Sequence, residues 1–338
     1  MIRRALVTLF SVALIACQAN SVGGTPDAGS AIPADVGVGP RSTFAIATLA
    51  GLLGLDAQGR ALGRIVALPR GATPSSPVLH PTGNPIYFAL SQTAEGIGFG
   101  ADIYRVSVDG TDLRPVVTRD KPNVFYASPA VDPTGQYLYV HRRAAKDEPN
   151  APYLQTEDSI ERVDLRTGAR QRVLEDAAEP AIVPSTNRLV YVHLDRGQQA
   201  GLYTASANGD DASPFLKTGD RFWFLQAPRV SPSGREITFS SAGRTRSLQF
   251  PRPSSGTGPR LAHLDIPSEL YVAAIDGTSL RSVASTLDDV VPAWSPDSAT
   301  IAYVALGIFY VVSASDGTVI SRASASGFLY GDPVWLRA

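Results

Sequence analysis

Apolar runs and turn residues alternate on a regular rhythm along this chain, and five stretches repeat one pattern: a proline-led apolar strand, a turn, and a second apolar strand. They read SPVLHPTGNPIYFAL from Ser76, SPAVDPTGQYLYV from Ser128, EPAIVPSTNRLVYV from Glu179, APRVSPSGREITF from Ala227 and VPAWSPDSATIAYV from Val291. A second apolar hairpin follows each copy, from Ala101, Ser159, Gly201, Glu269 and Ile308. Its turns are Asp109-Gly110, Thr167-Gly168, Asn208-Gly209, Asp276-Gly277 and Asp316-Gly317, where Gly, Asp and Asn tolerate the positive φ of tight hairpins. Two hairpins make four antiparallel strands, and self-similarity at roughly 40 to 60 residues predicts propeller blades or a related array.

The two ends of the repeat region complement each other. GDPVW, Gly331 to Trp335, repeats the opening of VPAW and then stops after one strand. The three strands it lacks match TFAIATL from Thr43, GLLGLDAQGR from Gly51 and GRIVALP from Gly63. The fold class expected is therefore all-β: a six-bladed β-propeller of four-stranded antiparallel blades over 43–338, the last blade closed by N-terminal strands plus the C-terminal strand. Such closure removes a free sheet edge.

Ala293-Trp294-Ser295-Pro296-Asp297, followed by Ile301-Ala302-Tyr303, carries a specific resemblance, with looser versions at Val230 to Gly234 and Val131 to Gly135. In these motifs the chain resembles the TolB-type six-bladed propeller family, close to WD-repeat-like blades, over about Arg41 to Ala338. The TolB protein also carries an α/β domain before its propeller, for which this sequence is expected to have no room. Its partners are accordingly not carried over.

The first residues change the picture from a free ring to an anchored one. Arg3 and Arg4 form a basic start, Ala5 to Ala13 an apolar core too short to span as a mature helix, and Leu14-Ile15-Ala16-Cys17 a small-residue ending before cysteine. This pattern looks like a bacterial lipoprotein signal over 1–16, with lipidation of Cys17, the chain's only cysteine. Several acyl chains on one residue anchor stably where one is marginal. Gln18 in place of aspartate favours, by resemblance to enterobacterial sorting, the outer membrane, facing the periplasm or the cell surface. Residues 17–42, rich in Gly, Pro, Ala and Ser, read as a flexible tether.

Charge removes other partners. With 30 Lys plus Arg against 31 Asp plus Glu, the net charge is -1, which argues against nucleic acid. Two insertions, from Arg142 and from Ala242, join the second and third strands of their blades and share one face of the disc. An opposite candidate surface comes from the segments leading into the innermost strands, at the channel mouth: Phe125 and Tyr126, Phe222 and Trp223, Asp288 and Asp289, Phe328, Tyr330 and Asp332. Converging aromatics with a few carboxylates suit a peptide or a sugar, while packing between blades accounts for such rings equally.

Catalytic patterns are sparse. No His-Glu-x-x-His helix, Gly-x-Ser-x-Gly elbow or phosphate-cradling loop occurs among four histidines, His80, His141, His193 and His263. His141 and His193 end equivalent strands and are the weak candidates for a metal, which needs three or four convergent ligands. The expectation is a non-catalytic, membrane-tethered binding module without cofactor, whose partner is an envelope protein, peptide or glycan. The alternative is a propeller lyase or hydrolase acting on carbohydrate in the central channel.

Overall fold

The computed structural model describes residues 34–146, 156–195, 197–216, 222, 224–243, 268–324 and 330–336. After a one-turn helix α1 (Val38–Arg41), the strands β1 (Phe44–Thr48), β2 (Gly51–Leu55) and β3 (Ala61–Arg64) form an antiparallel meander. Next come β4 (Thr73–Leu79), β5 (Ile86–Ala94), β6 (Gly98–Val106) and β7 (Arg114–Val117), then β8 (Val124–Val131), β9 (Tyr137–Ala145), β10 (Thr156–Asp164) and β11 (Arg170–Glu175). One parallel bridge, Ala101 to Phe125, joins these two meanders into a single eight-stranded sheet.

Three four-stranded sheets follow. The first contains β12 (Ala177–Val183), β13 (Arg188–Asp195), β14 (Gln198–Ala205) and β15 (Ser213–Pro214). The second contains β16 (Gln226–Val230), β17 (Glu236–Ser241), β18 (Glu269–Ala274) and β19 (Arg281–Ser285). The third contains β20 (Ala293–Trp294), β21 (Thr300–Ala305), β22 (Ile308–Ser313) and β23 (Val319–Ser324). The last strand, β24 (Asp332–Trp335), pairs antiparallel with β1, Phe44 opposite Trp335 and Ala47 opposite Asp332. It lies against β20 on one side and β4 on the other.

The sheets pack face to face, so their middle strands are buried on both sides and read as continuous apolar runs instead of alternating ones. Strand β1 shows how period two then distributes side chains. Phe44 and Ile46 pack with Phe309 and Val304 of the preceding sheet, while Ala45 and Ala47 pack with Leu52, Ile86 and Phe88 toward the following one. Full burial of a side chain such as Phe88 stabilises by about 2 to 3 kcal/mol.

Two boundaries differ from the sequence expectation. The third N-terminal strand is Ala61–Arg64 and not GRIVALP from Gly63, because Ile65, Val66 and Leu68 turn inward and bury against the β5 side chains. Residues 35–41, expected within a tether over 17–42, are instead tied to the folded chain. Val38 is 1% exposed, and Asp35 pairs with Arg64 through Asp35 N to Arg64 O (3.0 Å) and Arg64 N to Asp35 Oδ2 (2.8 Å). The signal segment and Cys17 lie outside the described residues.

The proline-led motif acts at two places. At its turn, an Asp or Ser side chain accepts the N–H of the residue five positions on: Asp132 from Tyr137 (2.7 Å), Ser231 from Glu236 (3.1 Å) and Ser295 from Thr300 (2.9 Å). These short polar side chains hold the turn closed in the manner of an Asx turn. In the strand, the residue before proline is bulged out of register with positive φ: Ser76 (49°), Ser128 (47°), Glu179 (51°) and Ala227 (47°). A following proline disfavours right-handed α backbone, and a bulge frees one N–H from the ladder.

Candidate functional site

Antiparallel pairing sends the connections between second and third strands, and those between a fourth strand and the next first strand, to the same end of the strands. The two surfaces that the sequence reading set opposite each other therefore share one face. The insertion positions, between β9 and β10 and between β17 and β18, lie at that end, as do the segments leading into β8, β16 and β20. The inserted residues 147–155 and 244–267 themselves lie outside the described residues.

That face carries exposed apolar side chains on consecutive sheets. Leu287 leads into β20 and is 59% exposed; Leu306 lies between β21 and β22 and is 50% exposed; Leu49, between β1 and β2, is 60% exposed. Phe99 at the start of β6 is 40% exposed and meets Phe125 edge to face at 5.6 Å. Leu287 and Leu306 also have positive φ, 55° and 49°. Branched side chains in the left-handed region are outliers that cost about 1 to 2 kcal/mol each.

The aromatic residues expected at a channel mouth divide differently. Tyr126 is 4% exposed, its hydroxyl accepting from Arg170 Nη1 at 3.1 Å with Glu161 Oε2 at 3.5 Å. Burial, followed by the Glu161 charge, pushes its phenol up from the ordinary value. Phe222 is buried against Phe239 (5.1 Å) and Tyr271 (5.0 Å). Both rings thus fill space between sheets, because a large flat side chain there buries more apolar area than it does in solvent. Phe125 and Tyr330 are half-buried, and Trp223 and Phe328 lie outside the described residues.

The carboxylates are set inward. Asp288 and Asp289 are buried, with Asp288 Oδ1 accepting from Asp289 N at 2.9 Å. Asp332 Oδ2 accepts from the bulged Ser76 N at 2.6 Å, across the seam between the last and first sheets. Glu179 Oε2 accepts from the equivalent bulged N–H of Ala227. Arg229, two residues further along β16, donates Nη1 to Pro228 O (2.9 Å) and accepts Trp294 Nε1 on its carbonyl (2.8 Å). Arg229 is half-buried by surface area, yet protein surrounds its head closely enough that desolvation lowers its pKa, opposed by Glu179 and then Asp332.

His141 and His193 do not converge. His141 Nε2 lies 2.7 Å from Asp158 Oδ1, which also accepts from Arg143 Nε at 2.7 Å, while Thr156 Oγ1 donates to Asp158 Oδ2 at 3.0 Å. Burial alone raises the Asp158 carboxyl, but the His141 hydrogen bond and the Arg143 charge outweigh it and hold the group at about 2. His193 instead lies against the Tyr203 ring, centroids 4.4 Å apart with the planes tilted by 43°. Among the described residues no three His, Cys, Asp or Glu side chains gather as metal ligands, and no helix is long and apolar enough to cross a membrane.

Sequence reasoning passed over Glu179, Arg229, Leu49 and Leu306. Superposing the five repeats exposes Glu179, a carboxylate where other copies have Ser, Ala or Val, and Leu306 is a leucine in a two-residue turn before glycine. Leu49 and Arg229 carry no such mark, since single apolar or basic residues near strand ends are common.

The sequence matches no described protein family and no curated protein. The fold is similar to TolB from Acinetobacter baumannii, at 15% identity, TM-score 0.62, over 87% of this chain and 66% of that one. This chain thus spans just under two thirds of that TolB chain. A chain of a nidogen and laminin complex aligns at 14% identity, TM-score 0.50, over 73% and 80% of the two chains. An oligogalacturonate lyase in complex with manganese aligns at 11% identity with a TM-score of 0.44, over 88% and 85%. Identities this low bear on the fold alone, which is a TolB-like β-propeller; the third likeness carries no argument.

Proposed function

We propose that this chain is a lipid-anchored protein of the bacterial envelope whose propeller, six four-stranded blades closed by β24 beside β1, binds a protein or peptide partner and catalyses no reaction. The observation that carries the reading is the pair Leu287 and Leu306, exposed leucines kept in strained left-handed backbone on the face that also bears Leu49 and Phe99. Strained, exposed apolar residues reduce stability without serving the core, and such outliers concentrate where a surface is used. The TolB-like fold supports an envelope location, and Cys17 supplies the anchor, in the outer membrane. His141 is held by Asp158, and Glu179 and Asp332 hold backbone N–H groups, roles that favour binding over chemistry.

The test uses the full lipidated chain in its own envelope, carrying a photo-crosslinking residue at position 49 or 306, or at Asp316 on the opposite face. One discrete adduct from positions 49 and 306, and none from 316, is expected. No adduct, or the same adduct from all three, overturns the reading. Anchoring is checked separately, by fatty-acid labelling that Cys17→Ser abolishes.

A further inference from the structure

We infer that Arg142 and Ser159 bind one small monovalent anion, of the size of chloride, buried between the meander β4 to β7 and the meander β8 to β11. The site is separate from the exposed leucines and does not rest on the binding reading.

Arg142 and Ser159 stand directly opposite each other on β9 and β10, and Tyr126 of β8 stands opposite Arg142 on its other side. Period two puts Arg142 on the face of β9 that carries Val140 and Ala144, and Ser159 and Glu161 on the face of β10 that carries Val163. That face packs against Tyr87, Ala89, Ile103 and Val117 of the preceding meander, so these polar groups are set into an apolar wedge. Ser159 is fully buried. Among the described residues its Oγ has no hydrogen-bond partner, and neither has the buried Nη1 of Arg142.

The charges in the wedge do not close on one another either. Arg142 Nε lies 3.6 Å from Glu161 Oε1, beyond hydrogen-bond range, and the other Glu161 oxygen is 3.5 Å from the Tyr126 hydroxyl. Arg170 Nη1 reaches that hydroxyl at 3.1 Å, which brings a second guanidinium to the same place. Two guanidiniums thus share one carboxylate, an excess of one positive charge. His141, Arg143 and Asp158 belong to the opposite face, with Tyr139 and Ile160, and do not offset it. A water molecule would supply the missing hydrogen bonds but not the missing charge. An anion accepts from both the Arg142 N–H and the Ser159 O–H and balances the excess. A buried guanidinium N–H without an acceptor is costly, which makes the site selective for a group that only accepts. The single excess charge sets the anion's valence, and close packing of the apolar wedge sets its size. With 14% of its side chain exposed, Arg142 gives the anion a way in from solvent.

The test follows the thermal midpoint of the full chain as sodium chloride replaces sodium gluconate at constant ionic strength, so charge screening is held fixed and no partner is needed. The wild-type midpoint is expected to rise saturably, by about 5 °C at a hundredfold excess over the half-point. In gluconate, Ser159→Ala is expected to melt no lower than the wild type, because its hydroxyl has no partner to lose. In saturating chloride it is expected to melt lower, with a half-point about tenfold higher. Arg142→Gln is expected to lose the chloride response, and Arg143→Gln, on the opposite face, to keep it. A midpoint indifferent to chloride overturns the site and leaves the two groups to water. An equal rise in the wild type, Ser159→Ala and Arg142→Gln overturns it as well. Should Arg142→Gln not accumulate, Ser159→Ala decides alone: a weakened response supports the site, and a response equal to that of the wild type overturns it.

Discussion

Trp335 donates its indole N–H to the carbonyl of Ala293 at 3.1 Å, tying the C-terminal strand to the sheet before it. Trp294, at the equivalent place one sheet earlier, does the same to Arg229 O at 2.8 Å. Trp335 also lies 4.2 Å from the Phe44 ring, on the first strand of the chain. Trp335→Phe is therefore expected to lose about 1 kcal/mol, the net contribution of one hydrogen bond, and Trp335→Ala about 3 kcal/mol with the packing. Urea midpoints at unchanged slope measure both; equal losses from the two would show that the hydrogen bond contributes nothing.

Leu306→Asn is expected to raise stability by up to about 1 kcal/mol, because asparagine tolerates the left-handed backbone that leucine resists. The same change should abolish the crosslinked adduct. A destabilised Leu306→Asn protein would show that the leucine is packed in the free ring and not reserved for a partner.

Asp158 links stability to acid. Its carboxyl titrates at about 2 in the fold against 3.8 unperturbed, so its stabilisation is full above pH 4 and disappears as pH falls from about 4 to about 2. The difference amounts to about 2 kcal/mol. Unfolding by urea at pH 6, 4, 3 and 2 should show the wild type losing that much more than Asp158→Asn, and parallel declines would reject the assignment.

Gly209 and Gly168 test how much a turn owes to its neighbour. Both have positive φ, 91° and 74°, but a Cβ on Gly209 would lie 1.9 Å from the Val173 carbonyl oxygen of the adjoining sheet, whereas nothing lies within 4 Å of one on Gly168. Gly168→Ala is expected to cost about 1 kcal/mol, the left-handed penalty alone, and Gly209→Ala at least twice that. Similar losses in thermal unfolding would mean that the sheets yield freely at this contact.

That pair also marks the limit of what one dimension encodes. Thr167-Gly168 and Asn208-Gly209 carry the same local signature, and both make the hairpin turn it announces, since φ preference and strand period are properties of a few adjacent residues. The meanders, the proline-led motif and the pairing of Asp332-Pro333-Val334-Trp335 with the N-terminal strands were legible for the same reason: each depends on a repeat that chain neighbours display. Only the tertiary structure determined that Gly209 meets a carbonyl of another sheet, that Tyr126 and Phe222 are buried between sheets, and that Glu179 and Asp332 hold the bulged N–H groups of Ala227 and Ser76. Burial and through-space contact depend on what lies beside a residue across sheets, and Asp332 and the Ser76 N–H that it accepts are 256 positions apart in sequence.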